Sequence, residues 1–269
     1  MTEEKPKKRG WKAWLAAAVA AIAKFFGAAL SALKFLKLGK ILLTATTMLT
    51  MIWAFSGRFG WAYAFGLVFL ILLHELGHGY AARRKNVPVG TPIFIPFIGA
   101  FIALKQPPRS PYEDFFIGAG GPVAGISAAL ACLFLADYFA PHTGKLLLAV
   151  GFSALTMNLF NLIPIGFLDG GRMVSPLGRL EWAIGLPLMI LAAYGGLAGG
   201  DHFNPIVLML LIGAVIRAVM AFRPSGKRIT KYAQAEVSHE ERFIAAGTYF
   251  LLAAGGIYLV HAIWESVRL

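Results

Sequence analysis

A single cysteine, Cys132, stands among the 269 residues. It excludes an internal disulfide and any metal site built from several thiolates. Charge is scarce as well: 14% of residues are Asp, Glu, Lys or Arg, where a soluble domain carries about a quarter. Acids are the scarcer sign, 13 against 25 Lys plus Arg, and only four of them are aspartates. With 58% hydrophobic residues and a mean hydropathy of +0.69, this balance excludes a soluble globular domain, a disordered chain and a fibrous repeat. In a soluble protein a formal net charge of +12 would point to nucleic acid. Here the basic residues are scattered between apolar runs. That points instead to membrane-flanking loops and anionic lipid headgroups, with no nucleic-acid partner.

Residues 1–12 are polar and basic, and no small-residue cleavage site follows at the distance a secretory signal needs. Residues 11–37 are rich in Ala and Phe but carry Lys12, Lys24, Lys34 and Lys37. At 100° per residue these lysines fall within an arc of about 140°, with Trp11, Trp14, Phe25 and Leu36 opposite. The pattern reads as an interfacial amphipathic helix on an anionic bilayer face. A tilted span with a snorkelling Lys24 is the alternative. Apolar runs follow at 41–56, 60–82, 115–137, 146–165, 182–199, 205–222 and 243–263. Each approaches the roughly 20 residues that cross the hydrocarbon core. The expectation is an all-α polytopic membrane protein of six to seven transmembrane helices. A basic tail and amphipathic helix (1–40) precede a membrane core (41–222), a polar linker (223–242) and a C-terminal helix (243–269). No loop between the runs has room for an inserted soluble domain, and no internal repeat is visible.

Loop charge sets the expected orientation. With the N-terminus inside, segments 1–40, 83–114, 166–181 and 223–242 hold 21 of the 25 basic residues. The outer segments hold Arg58, Lys145 and Arg268, and Arg217 lies within a run. The positive-inside rule therefore favours a cytoplasmic N-terminus.

The run at 60–82 contains His74-Glu75-Leu76-Gly77-His78, an H-E-x-x-H pattern. On a helix, positions i and i+4 share a face, so both imidazoles can reach one metal ion. Glu75 is rotated by about 100° from His74. It can miss the metal yet touch a water beside it as general base. Two histidines and a glutamate in a hydrocarbon-depth stretch are costly unless they have a function. His74 lies nine residues before Arg83, about 13 Å below that cytoplasmic marker. A third ligand must come from another span. The candidate is Asp169, in Asn161-Leu-Ile-Pro164-Ile-Gly-Phe-Leu168-Asp169-Gly170-Gly171, a segment at the cytoplasmic end of its run. Pro164 should break the helix there, and irregular backbone at membrane depth lines a cavity or is buried. Taken alone, Asp-Gly is also ordinary turn chemistry.

These two motifs, in this order and on separate spans, resemble those of the site-two protease family of intramembrane zinc metalloproteases. HELGH matches its H-E-x-x-H, and NLIPIGFLDGG its N-x-x-P-x-x-x-L-D-G. The resemblance covers roughly residues 60–175. It implies zinc held by His74, His78 and Asp169, with Glu75 as catalytic base. It also implies that Asn161 assists at the substrate or its oxyanion; Asn158, one turn earlier, is the alternative if Asn161 only caps the broken helix. The run Gly118–Gly125, with Pro122, looks like the family's glycine-proline segment, where small residues let helix backbones approach closely. The Pro- and Gly-studded stretch 88–102 reads as a re-entrant hairpin with extended segments. One of its edges could add a strand to an unwound substrate, or the hairpin could simply seal the cavity.

The implied activity is hydrolysis of peptide bonds within a transmembrane helix of another membrane protein, near the cytoplasmic face. The short form and basic inner face suit a bacterial inner membrane, with an organelle membrane as the alternative. The competing readings are an inactive scaffold that keeps the metal and a zinc or proton transporter. His142, His202, His239 and His261 read as solvated or interfacial rather than as ligands.

Overall fold

A computed structural model describes residues 39–96, 98–165, 168–177 and 236–268, with Ala20, Lys24 and Gly27 of the N-terminal segment. The chain divides into two compact units, 1–46 and 47–269. The reading of 11–37 as an amphipathic helix, the apolar runs 182–199 and 205–222, and Arg217 lie outside the described residues.

Five helices among the described residues are long and apolar enough to cross a membrane. They are α1 (Gly39–Phe59), α2 (Trp61–Arg84), α3 (Pro111–Leu135), α4 (Pro141–Asn161) and, after the short α5 (Asp169–Met173), α6 (His239–Arg268). At 1.5 Å per residue α2 is about 36 Å long, more than the roughly 30 Å hydrocarbon core. Their outward faces carry large apolar side chains such as Trp53, Phe65, Phe134, Leu251 and Tyr258. A water-facing surface would not tolerate so broad an apolar belt. The fold is mostly helical but not wholly so: strands β1 (Val89–Ile95) and β2 (Gly99–Leu104) pair as an antiparallel hairpin within the stretch expected to be extended. Pro92 lies at an irregularity of β1 pairing, where its missing N–H costs least.

Local chemistry sets the helix ends. Gly60, at φ +82°, separates α1 from α2 in a conformation that disfavours any side chain. The end of α2 is a Schellman motif: Asn86 is left-handed at φ 58°, Asn86 N–H donates to Arg83 O, and Val87 N–H donates to Ala82 O. Val87 and Ala82 then pack together with Ile117. Ser110 caps α3 by accepting from Glu113 N–H, and Pro111 takes the first helical position. A reciprocal capping box, Ser238 with Glu241, starts α6 four residues before the apolar run begins.

The core holds α2 and α3 unusually close. A Cβ at Gly77 would run into Gly120 O, and one at Gly120 would meet Ala81 Cβ at 2.7 Å. The two helices therefore cross backbone to backbone, as small residues permit in a bilayer. Leu70, Phe115, Ile126, Val150, Leu155 and Tyr249 form the main apolar cluster, joining α2, α3, α4 and α6. A second cluster packs α1 on α2 and β1 through Met51, Ile52, Val68, Ile71 and Phe94. Thr47 Oγ1 accepts from Phe94 N–H and ties β1 to α1.

Candidate metal centre

The geometry begins with helical periodicity. His74 and His78 lie one turn apart on α2, both buried, with Nε2 atoms 3.1 Å apart. α4 ends at Asn161, three residues before Pro164, and the helix α5 starts at Asp169, after Leu168 in extended conformation. That break carries Asp169 back to α2. Its Oδ2 lies 3.0 Å from His74 Nε2 and its Oδ1 3.0 Å from His78 Nε2.

Whether these residues suit a metal can be tested on the far side of each ring. His74 Nδ1 lies 2.8 Å from Asn158 Oδ1, and His78 Nδ1 lies 2.8 Å from Ile117 O. Both partners are carbonyl oxygens and can only accept, so each Nδ1 carries the proton. The Gly121 N–H, 3.3 Å from His78 Nδ1, is then a close approach without a hydrogen bond, since the shorter contact to Ile117 O decides the tautomer. In a neutral imidazole each Nε2 then turns its lone pair toward the other and toward the carboxylate, and the three converging donors are a set that a cation satisfies. Two imidazoles and a carboxylate, held from behind by hydrogen bonds, are the donors zinc takes in sites that keep one position open. Gly121 of α3 leaves the space: a Cβ there would overlap His78 Nε2 and come within 2.7 Å of His74 Nε2. Among the described residues this is the one group of three or more His, Cys, Asp or Glu side chains arranged to hold a metal. His142, His239 and His261 take no part in it.

A cavity of about 420 Å³ opens on the cluster, lined by His74, His78, Asp169, Glu75, Asn161 and Arg172, with β2 on one side. Glu75 is buried outside the ligand triangle and meets the backbone N–H of Ile102 in β2. Asn161, the last residue of α4, lines the cavity but is not in the cluster. One feature escaped the sequence: Arg172 Nε donates to the buried Asp114 Oδ1 at 2.9 Å, tying α5 to the start of α3 across 58 residues, a separation that leaves no local signal. Asn158, the sequence's alternative to Asn161, meets His74 rather than the cavity.

Fold and cluster together define an integral membrane protein of helical type with a two-histidine, one-aspartate metal-type site. Comparison with known proteins agrees. Residues 62–143 match the family model of peptidase family M50, a stretch that holds HELGH and the glycine-proline segment but ends before Asp169. The chain is 32% identical over 117 residues to zinc metalloprotease MJ0392 of Methanocaldococcus jannaschii, covering 42% of this chain and 34% of that protein. It is 32% identical over 158 residues to the probable zinc metalloprotease EGY1, chloroplastic, of Arabidopsis thaliana, covering 42% and 28%. It is 33% identical over 109 residues to the putative zinc metalloprotease Rip3 of Mycobacterium tuberculosis, covering 39% and 28%. The chain thus spans about a third of the length of the curated relatives it matches. Over these stretches it is similar to the M50 metallopeptidases, the site-two protease type, and zinc is the metal that this similarity implies.

Proposed function

We propose that the protein is a zinc metalloprotease that hydrolyses peptide bonds within transmembrane segments of other membrane proteins, near the cytoplasmic face. One observation carries the reading: two Nε2 lone pairs and a carboxylate converge beside a buried glutamate, at the mouth of a cavity between apolar helices. A zinc ion held by His74, His78 and Asp169 would polarise the scissile carbonyl and make an attacking water more acidic. Glu75 takes a proton from that water and delivers it to the leaving amide nitrogen. Asn161, on the cavity wall, donates its amide N–H to the developing oxyanion. The apolar walls exclude bulk water from the reacting groups.

A helical substrate shields its carbonyls in its own hydrogen bonds, so it must unwind to be cut. Ile102 meets Glu75, which places the edge of β2 beside the general base, and an unwound strand can pair there. The loop-charge bias supports a cytoplasmic N-terminus in a bacterial inner membrane, with anionic lipids around the basic loops.

The test is cleavage of a single-span substrate by the full chain in liposomes, with product ends mapped by mass spectrometry. Wild type should cut near the cytoplasmic boundary. Glu75→Gln should keep zinc and cut at least about 100-fold more slowly. Undiminished cleavage by Glu75→Gln would overturn the mechanism. A zinc-loaded wild type that leaves every span intact would favour a non-catalytic scaffold.

A further inference from the structure

We infer that Asn158 is a positioning residue: its side-chain amide holds His74 in the one tautomer and ring orientation that aims Nε2 at the metal. The inference rests on the metal-centre reading above and adds to it a residue outside both motifs.

Asn158 is buried at membrane depth in α4, where an amide needs its hydrogen bonds filled. Its two ends are committed differently. Nδ2 donates to Ala154 O at 2.8 Å, and Oδ1 lies 2.8 Å from His74 Nδ1. A flipped amide would set Oδ1 against the Ala154 carbonyl, acceptor against acceptor, so the orientation is forced. Oδ1 can only accept, so the His74 proton is fixed on Nδ1 and the lone pair on Nε2. The third wall is Gly125 of α3, where a Cβ would overlap the Asn158 amide. Three helices thus meet at one amide: α2 supplies the ligand, α4 the acceptor and α3 the space. His78 differs, because its Nδ1 is held by the main-chain oxygen of Ile117, which no substitution deletes. Asn158 is therefore the one side chain through which the outer hydrogen bond of either histidine can be removed.

The test uses the full chain in detergent and cobalt(II) as the probe, with affinity measured by chelator competition and geometry by the cobalt visible absorption. Wild type, Asn158→Leu, Asn158→Asp and Gly125→Ala are compared, each with thermal unfolding of the metal-free form to check the fold. Asn158→Leu should weaken cobalt binding by about 10- to 100-fold, the usual cost of losing such a partner, and alter the absorption bands. Asn158→Asp still offers an acceptor to Nδ1–H but sets its second oxygen against Ala154 O, so it should weaken cobalt binding less than Asn158→Leu does. Gly125→Ala keeps Asn158 but displaces its amide, so it should behave like Asn158→Leu. Wild-type cobalt binding and spectra in both Asn158→Leu and Gly125→Ala would overturn the inference. So would equal weakening by Leu and Asp, which is what simple helix packing predicts. A folded wild type that takes up no cobalt would instead remove the metal-centre reading itself.

Discussion

Replacing Gly121 by alanine tests the metal centre without replacing a ligand. The added methyl would sit 2.7 Å from His74 Nε2 and overlap the His78 ring. Ordinary carbon contacts need about 3.5 Å, so the His78 ring must move by about 1 Å. It cannot retreat freely, because Nδ1 is held by Ile117 O at 2.8 Å. Zinc–nitrogen bonds are about 2.0–2.1 Å with a tolerance near 0.2 Å, so a 1 Å shift breaks the bond to His78. Losing an outer partner alone costs about 10- to 100-fold in affinity, and losing a ligand costs at least the upper figure, about 2.7 kcal/mol. The assay is zinc per chain on purified protein, with chelator competition and thermal unfolding beside it. Gly57→Ala is the control, since nothing lies within 4 Å of the Cβ it would add. A folded Gly121→Ala protein that binds one zinc with wild-type affinity would refute the geometry.

Other outcomes follow from the same contacts. Asp169→Ala should lose zinc or bind it at least about 100-fold more weakly, read by metal analysis. Arg172→Met removes the ion-pair partner of the buried Asp114 carboxylate and should destabilise the protein by about 1–3 kcal/mol; pairing it with Asp114→Leu should recover part of that in thermal unfolding. Tyr249→Phe removes the hydroxyl that donates to Leu162 O at 2.9 Å, beside the helix break, for a loss of about 1–2 kcal/mol in the same assay. Zinc at about 100 times its Kd should stabilise the folded chain by about 2.7 kcal/mol over the chelated form, seen as a rise in Tm. A substrate span carrying Gly, Pro or Asn near the cytoplasmic boundary should be cut faster than a poly-Leu span; equal rates would contradict the need to unwind.

The sequence reading and the structure part company at identifiable places. Runs of 16 or more apolar residues translate directly into helices because length and hydropathy are local properties, and α1, α2, α3, α4 and α6 follow those runs closely. The start of α6 at His239 rather than 243 was also local, written in the Ser238–Glu241 box, but an apolar-run criterion does not see a polar cap. The strands at Val89–Ile95 and Gly99–Leu104 were legible as extended segments of a hairpin, but their bounds and their register, Pro92 opposite Ile102, were not. Asn158 and Asn161 lie three residues apart, and nothing local distinguishes which one faces a histidine and which one faces the cavity.

What the chain determines by itself is periodic. The i, i+4 spacing puts His74 and His78 on one face, Pro164 ends a helix, and glycines mark where backbones meet. These depend on bond geometry and on side-chain chemistry within one or two turns. Only the tertiary structure decides that Asp169 closes the triangle 95 residues after His74, that Ile117 O and Asn158 Oδ1 set the tautomers, and that Gly121 and Gly125 leave the room. Those relations join α2, α3, α4 and α5. They exist only once helix packing has brought distant residues within hydrogen-bonding reach.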